Sequence, residues 1–343
     1  MKQYKLVLVV VFVTLVVAGL WVHEGTRNSG NRPGSQTKSS LSLALDWTPN
    51  TNHTGIYVAN KMGWYKDVGI DLKLLPYSSS VSPDQLVSAS KADVGISSTE
   101  AVVADAGAGS PVVSIGAIVA HNTSVLAVRQ DSGITSPKQL EDKTYGGFGA
   151  TYEAAVIGEV IKHGGGSGNF KNVTLDVDPV EALKSKRVDF VWVFSGWEVL
   201  QAERAGLRLT TFPIRDYGVP DYSTPDFIAS AKNLKDKKSL IRKFMQATAR
   251  GYEYARVHPR QSAQILLSSV SPGTFPDPGL VRQSQDYLSS RYQDAGKAWG
   301  NQTKASWHNY PQFMLDHGAV ADASGKPVKK INFDSLYTNQ FLQ

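Results

Sequence analysis

Cysteine is missing altogether from the 343 residues. Its absence excludes disulfides, thiol nucleophiles, cysteine-held metals and a lipid-bearing cysteine behind an export signal. It leaves the redox compartment open, because a cysteine-free chain works in either. Charge is sparse too, with Asp, Glu, Lys and Arg making up 19%. The formal net charge of +6 comes from scattered Lys and Arg, with no arginine-rich run and no zinc spacing. No nucleic-acid footprint follows from that pattern. The chain also lacks the GxSxG, HExxH and SxxK constellations, GK[ST] and a full GxGxxG. Acid pairs such as Glu141-Asp142 sit in plain loops. Catalysis therefore has no positive support, and no cofactor and no metal are expected. His53 has no second histidine at metal spacing, so it reads as a hydrogen-bonding group.

A hydrophobic share of 41% suits a globular protein. One apolar run stands apart. Lys2 and Lys5 precede residues 6–22, broken only by Thr14 and Gly19. Residues 1–22 read as a signal peptide or a short membrane anchor. The basic flank sets the N-terminus inside and the bulk outside. Residues 23–40, rich in Gly, Ser, Asn and Thr, read as a flexible linker.

The remaining length predicts two lobes. Strands are expected at Leu41 to Leu45, Val68 to Leu75, Ala92 to Ile96 and Val112 to Val119, alternating with helices. That is the pattern of a parallel α/β sheet. One expected helix runs unbroken from Ile56 to Tyr65, and another starts at Pro83 behind the N-cap Ser82. A second set follows: strands at Val125 to Val128, at Thr144-Tyr145 running into a glycine-rich loop that reaches Gly149, and at Val173 to Val177, Val188 to Val193 and Leu207 to Phe212. Helices lie between them, including a short one from Ser136 to Leu140. Phe227 to Ser230 should return to the first lobe. From Lys232 the text is helical, an extension expected to pack on the first lobe and to end in a helix from Asp334 to Phe341. The expected division is residues 41–125 and 226–343 for lobe 1, and 126–225 for lobe 2.

Four strand-to-helix loops, after Leu45, Ile96, Tyr145 and Val193, carry the chemistry. Ligands of open α/β sheets sit beyond the carboxyl ends of strands. The first loop holds Asp46, Trp47, Asn50, Thr51, Asn52, His53 and Thr54. Trp47, Trp192 and Trp197 offer flat faces for a planar heterocycle, although Trp192 inside a strand also reads as core. Glu198 has two readings: a carboxylate that accepts paired N–H donors, or a helix-N-terminal glutamate stabilised by the macrodipole. Gly146-Gly147-Phe148-Gly149 either presents backbone N–H groups to an anion or makes a tight turn.

Three segments together resemble a known family: DWTPNTNHTGIYVA at Asp46 to Ala59, GWYKDVGIDLKLLPY at Gly63 to Tyr77, and KADVGISS at Lys91 to Ser98. They look like extracytoplasmic substrate-binding proteins of the NMT1/THI5-like class. SGWE at Ser195 to Glu198 and DYGVPDY at Asp216 to Tyr222 are similar to binders of thiamine pyrimidine precursors. The resemblance implies an α/β, two-lobed type II periplasmic-binding-protein fold with a C-terminal helical extension. It implies delivery of a formylaminopyrimidine or hydroxymethylpyrimidine to an ABC transporter permease. The chain is expected to be a monomer. Departing from the lipoproteins of the class, it has no cysteine to acylate, so a membrane tether falls to residues 6–22. The ring would lie against Trp47, Trp192, Trp197 and Tyr222, with Phe148 and Ser97 in the same loops. Glu198 would pair with the aminopyrimidine edge, and Asn50, His53 and Tyr57 would complete the first-lobe side. The class also holds sulfonate binders, for which Gly146 to Gly149 and Ser97-Ser98 would serve. It further holds a fungal pyrimidine synthase that uses a pyridoxal-phosphate lysine, a sacrificial histidine and a cysteine motif. Those positions fall here on Ser97, Ala101 and a cysteine-free segment near Pro220, which disfavours the enzyme.

Overall fold

The computed structural model describes residues 38–343. The signal or anchor expected at 1–22, and nearly all of the linker expected at 23–40, lie outside them. Ser39 and Ser40, expected as linker, already belong to the first strand. Ten strands follow in order: β1 (Ser39–Ala44), β2 (Ile70–Leu75), β3 (Val94–Ser97), β4 (Val112–Ala117), β5 (Ser124–Arg129), β6 (Thr144–Gly147), β7 (Lys171–Thr174), β8 (Phe190–Phe194), β9 (Leu209–Pro213) and β10 (Asp226–Ser230). They form two five-stranded sheets, ordered β2-β1-β3-β10-β4 and β7-β6-β8-β5-β9. The chain passes between sheets twice, after Ala117 and after Pro213.

Both sheets are mixed rather than wholly parallel. β1 runs parallel to β2 and β3, while β10 is antiparallel to β3 and β4. In the second sheet β6 is parallel to β7 and β8, and β5 is antiparallel to β8 and β9. Strands flanked on both sides, β3 and β10 above all, are buried along their whole length. Their near-continuous apolar runs are what covering both faces of a sheet requires. β7 is an edge strand with every residue exposed, and it lies earlier than the Val173 to Val177 reading.

Two glycines fix the helix that follows the first loop. Helix Thr54–Lys61 packs on the long helix Lys238–Val257. A Cβ on Gly251 would stand 1.9 Å from the Gly55 carbonyl oxygen. Only a residue without Cβ lets the two backbones approach this closely. The same helix stops at Lys61, before the expected end at Tyr65. Gly63 takes φ 79°, and a separate turn, Trp64–Asp67, begins there. The left-handed glycine ends the first helix, as at many helix C-termini. Ser136 to Leu140 likewise shortens to one 3₁₀ turn, Pro137–Leu140.

The C-terminal helices do not rest on the first sheet alone. Helix Pro278–Ser289 also meets the second-sheet helix Glu198–Arg204, where Arg204 is paired with Asp277. The helix expected from Asp334 to Phe341 is absent. A single turn, Phe333–Ser335, precedes a stretch laid along β4. The Ser114 N–H donates to the Leu336 carbonyl and the Thr338 N–H to the Ser114 carbonyl, both at 2.8 Å. Those backbone groups serve the sheet edge, so they cannot close helical turns. Among the described residues no helix is long and apolar enough to cross a membrane.

Candidate functional site

Three of the four loops singled out above, with the end of β8 that leads into the fourth, converge on one cavity of about 170 Å³. Asp46 and Asn52 come from the loop after β1. Ser98 and Glu100 come from the β3 loop and the helix it starts, Thr99–Gly107. Phe148, Tyr152 and Glu153 follow β6. Trp192 and Phe194 come from β8, and Thr224 and Pro225 from the second crossing. The volume is roughly that of six liquid waters, which suits one small ring. Larger hollows of about 480 and 650 Å³ take no residue from the second sheet, and one of about 220 Å³ lies at the first crossing, lined by His121, Ser124, Pro213, Arg215 and Arg291 among others.

The walls are aromatic, and the polar groups are three acids with Asn52, Ser98 and Thr224. Tyr152 meets Trp192 edge to face, with centroids 6.4 Å apart. Asp46, Glu100 and Glu153 line the cavity, and among the described residues no Lys, Arg or His does. Glu153 is 1% exposed and accepts from the Tyr145 hydroxyl at 3.0 Å and from the Phe148, Gly149 and Ala150 N–H groups at 2.9, 2.9 and 3.1 Å. The glycine loop is therefore no free anion cradle. Its N–H groups already hold an internal carboxylate, and the tight-turn reading of Gly146 to Gly149 prevails. A Cβ at Gly147 would stand 2.4 Å from the Tyr145 ring.

Glu100 is 4% exposed. One of its oxygens accepts from the Tyr222 hydroxyl, and the other, Oε2, has no partner. Burial pushes its carboxyl up, and the Tyr222 bond opposes that shift. Trp192 likewise carries an unpartnered indole N–H. Burial also raises the Tyr152 hydroxyl, with the Glu100 charge adding to it.

The other expected site residues divide. Phe148, 55% exposed, and Trp192 line the cavity. Trp47, 39% exposed, stands against Phe148 and Tyr77, with centroids 6.4 and 4.6 Å away. His53 and Asn50 lie beneath the loop. The Asn50 N–H donates to His53 Nδ1 at 3.3 Å, which leaves Nε2–H to donate to Asp46 at 2.7 Å. His53 thus orients the Asp46 carboxylate that faces the cavity.

Ser97, Tyr57, Trp197, Glu198 and Tyr222 do not line it. The Ser97 hydroxyl donates to Asp84 at 2.5 Å. Tyr57 packs with Ala263, Leu266 and Val281, and Trp197 joins that cluster beside Phe275. Glu198 turns back toward the end of β8 and accepts from the Phe194 N–H at 3.0 Å. Its carboxyl is enclosed although the residue is partly exposed, and burial pushes it up to about 7. Tyr222 stacks on Tyr310 at 3.7 Å and holds Glu100 from behind. Sequence reasoning missed Glu100, Tyr152 and Glu153. Glu100 and Glu153 are acids in first helical turns, a position that commonly serves the macrodipole alone.

The NMT1/THI5-like family model matches residues 50–262. The chain belongs to the NMT1/THI5-like family. It is 23% identical over 324 residues to a formylaminopyrimidine-binding protein of Halalkalibacterium halodurans, covering 92% of this chain and 94% of that one. It is 24% identical over 236 residues to a 4-amino-5-hydroxymethyl-2-methylpyrimidine phosphate synthase of Candida albicans, covering 65% and 69%. Among solved structures it resembles the alkanesulfonate-binding protein SsuA of Xanthomonas axonopodis bound to MOPS, with TM-score 0.65, 12% identity and coverage of 87% and 98%. That likeness shows the fold. The NMT1/THI5-like chain has the α/β, two-lobed type II periplasmic-binding-protein fold with helices added at its C-terminus.

Proposed function

We propose that this chain is an exported solute-binding protein that captures a thiamine-type aminopyrimidine between its lobes and passes it to an ABC permease. The carrying observation is the cavity lining: aromatic walls, three carboxylates and no cationic side chain. A planar ring stacks on such walls, and its amine finds acceptors. A sulfonate would meet Asp46, Glu100 and Glu153 with nothing to neutralise it, and the one glycine loop that could bind it is filled by Glu153. That disfavours the second reading, a sulfonate or small-anion binder. The formylaminopyrimidine-binding relative, matched along nearly its full length, supports the same choice.

Binding rather than turnover follows from the same residues. Ser97 stands where the synthase resemblance calls for a lysine, and its hydroxyl is committed to Asp84. Lobe 1 is built on the first sheet and lobe 2 on the second; Ser124 and Val125, expected in lobe 1, belong to β5 of the second sheet, and a ligand touching both lobes stabilises the closed arrangement. Residues 1–22 direct export or tether the protein, which acts as a monomer. Calorimetry with 4-amino-5-hydroxymethyl-2-methylpyrimidine, its formylamino analogue and an alkanesulfonate tests this reading. Saturable heat with a pyrimidine and none with the sulfonate is expected. The opposite pattern would overturn it.

A further inference from the structure

Two residues that line the cavity, one from each sheet, each carry a buried polar atom without a hydrogen-bond partner. Glu100 stands at the start of the helix after β3, in the first sheet. Its Oε1 is occupied by the Tyr222 hydroxyl and its Oε2 by nothing. Trp192 lies in β8 of the second sheet, 7% exposed, with Nε1–H unpaired. Folded proteins rarely leave such groups unmatched, and each one asks for an explanation. Both residues line the same small cavity. One accepts and the other donates. The indole N–H has no acceptor lone pair, and an ionised carboxylate has no proton.

We propose that Glu100 Oε2 and the Trp192 indole N–H together read the ligand's edge, taking an N–H donor on the Glu100 side and a ring lone pair on the Trp192 side. This deepens the aminopyrimidine reading and rests on it. A 4-aminopyrimidine carries an exocyclic amine beside a ring nitrogen, so a single edge offers a donor and an acceptor in the order required. Because the two readers sit on different sheets, the edge is fully satisfied only when both lobes are engaged. Tyr222 acts as a positioning residue. It belongs to the crossing between sheets, is held face to face on Tyr310, and fixes the free oxygen by bonding the other. The carboxylate that reads the amine is thus Glu100, while Glu198 caps the turn behind β8.

The test is a double cycle between protein and ligand. Affinities of 4-amino-5-hydroxymethyl-2-methylpyrimidine and of its analogue with hydrogen in place of the amine are measured by calorimetry. The proteins are the full chain and its Glu100→Ala, Trp192→Phe and Glu198→Gln variants, with thermal melts to confirm folding. In the unaltered protein, removing the amine should weaken binding about 10- to 100-fold, the range for a hydrogen bond to a charged group. In Glu100→Ala that penalty should shrink to within about twofold, because the amine has lost its acceptor. Trp192→Phe keeps the ring face and should weaken both pyrimidines by a similar factor of about 5 to 10, as loss of one neutral hydrogen bond predicts. If Glu100→Ala does not fold, Glu100→Gln replaces it, and a markedly reduced amine penalty is expected there too. Should the unaltered protein bind the pyrimidine while the amine penalty survives at Glu100 and vanishes in Glu198→Gln, the pairing is overturned and the aminopyrimidine reading stands. If the unaltered protein binds neither pyrimidine, the ligand class falls and the pairing with it.

Discussion

Replacing Glu153 by Gln perturbs the loop on which the second wall of the cleft depends. Four donors converge on this nearly inaccessible carboxylate: one hydroxyl and three consecutive backbone N–H groups. The two contacts to Oε1 and the two to Oε2 all require an acceptor. Glutamine keeps one oxygen and turns the other position into an NH₂ group that faces donors. In either rotamer at least one backbone N–H loses its partner. A hydrogen bond to a charged group contributes about 1.5–3 kcal/mol, and the orphaned donor adds a desolvation cost. Loss of about 3–4 kcal/mol of folding stability is therefore expected, against a total of about 5–15 kcal/mol for a typical protein. Urea denaturation followed by tryptophan fluorescence measures it, with Glu159→Gln as a control on the same helix. A shift below about 1 kcal/mol would refute the idea that Glu153 holds the glycine loop. The smaller Glu153→Ala change vacates the N–H cradle, so weak binding of an alkanesulfonate, absent before, should appear.

Three further outcomes follow from other parts of the molecule. Gly251→Ala drives a Cβ into the Gly55 backbone, and a loss of about 3 kcal/mol or more is expected from such overpacking, read as a fall in the urea midpoint. Glu198 has a folded pKa of about 7, raised by burial above the ordinary carboxylate value. The ionised form is disfavoured in the fold, so stability is lost as pH rises from about 5 through 7. Glu198→Gln should remove that loss and be more stable than the unaltered protein at pH 8 by up to about 3 kcal/mol. Equal pH profiles for the two would contradict it. His121 lies between Asp221 and Asp294, one carboxylate at each ring nitrogen. Although burial opposes it most, the two carboxylates prevail and raise the His121 pKa. That contribution is complete below about 6.5 and is lost as pH rises through the folded value. With the pair half exposed it stays below about 1 kcal/mol. NMR titration of the ring should give a pKa above 6.5, and a value at or below it would contradict the bridge.

Much of the fold was legible because burial on both faces leaves a plain signature. β8 is apolar throughout and β3 and β5 carry the apolar runs Val94 to Ile96 and Val125 to Val128, and β3 and β8 lead into polar loops. The loops could be named from that alone. The helix end at Lys61 was not, because an apolar pattern continues across Met62 and Trp64, and only the φ of Gly63 breaks it. The final segment, Asp334 to Phe341, has helical composition, but its backbone partners lie far off in β4. Within the site, the sequence favoured conspicuous aromatics. Trp197 and Tyr222 are large and close to acids, yet each is used to pack. Glu100 occupies an ordinary first-turn position for an acid. What distinguishes it is a missing partner, and a missing partner is a property of the folded neighbourhood.

The central claim is that the cleft takes an aminopyrimidine and refuses an anion. Calorimetric titration of the full chain with 4-amino-5-hydroxymethyl-2-methylpyrimidine and, separately, with an alkanesulfonate measures it directly. Saturable one-to-one binding of the pyrimidine and no heat from the sulfonate is the predicted result. Tight sulfonate binding with no response to the pyrimidine would contradict it.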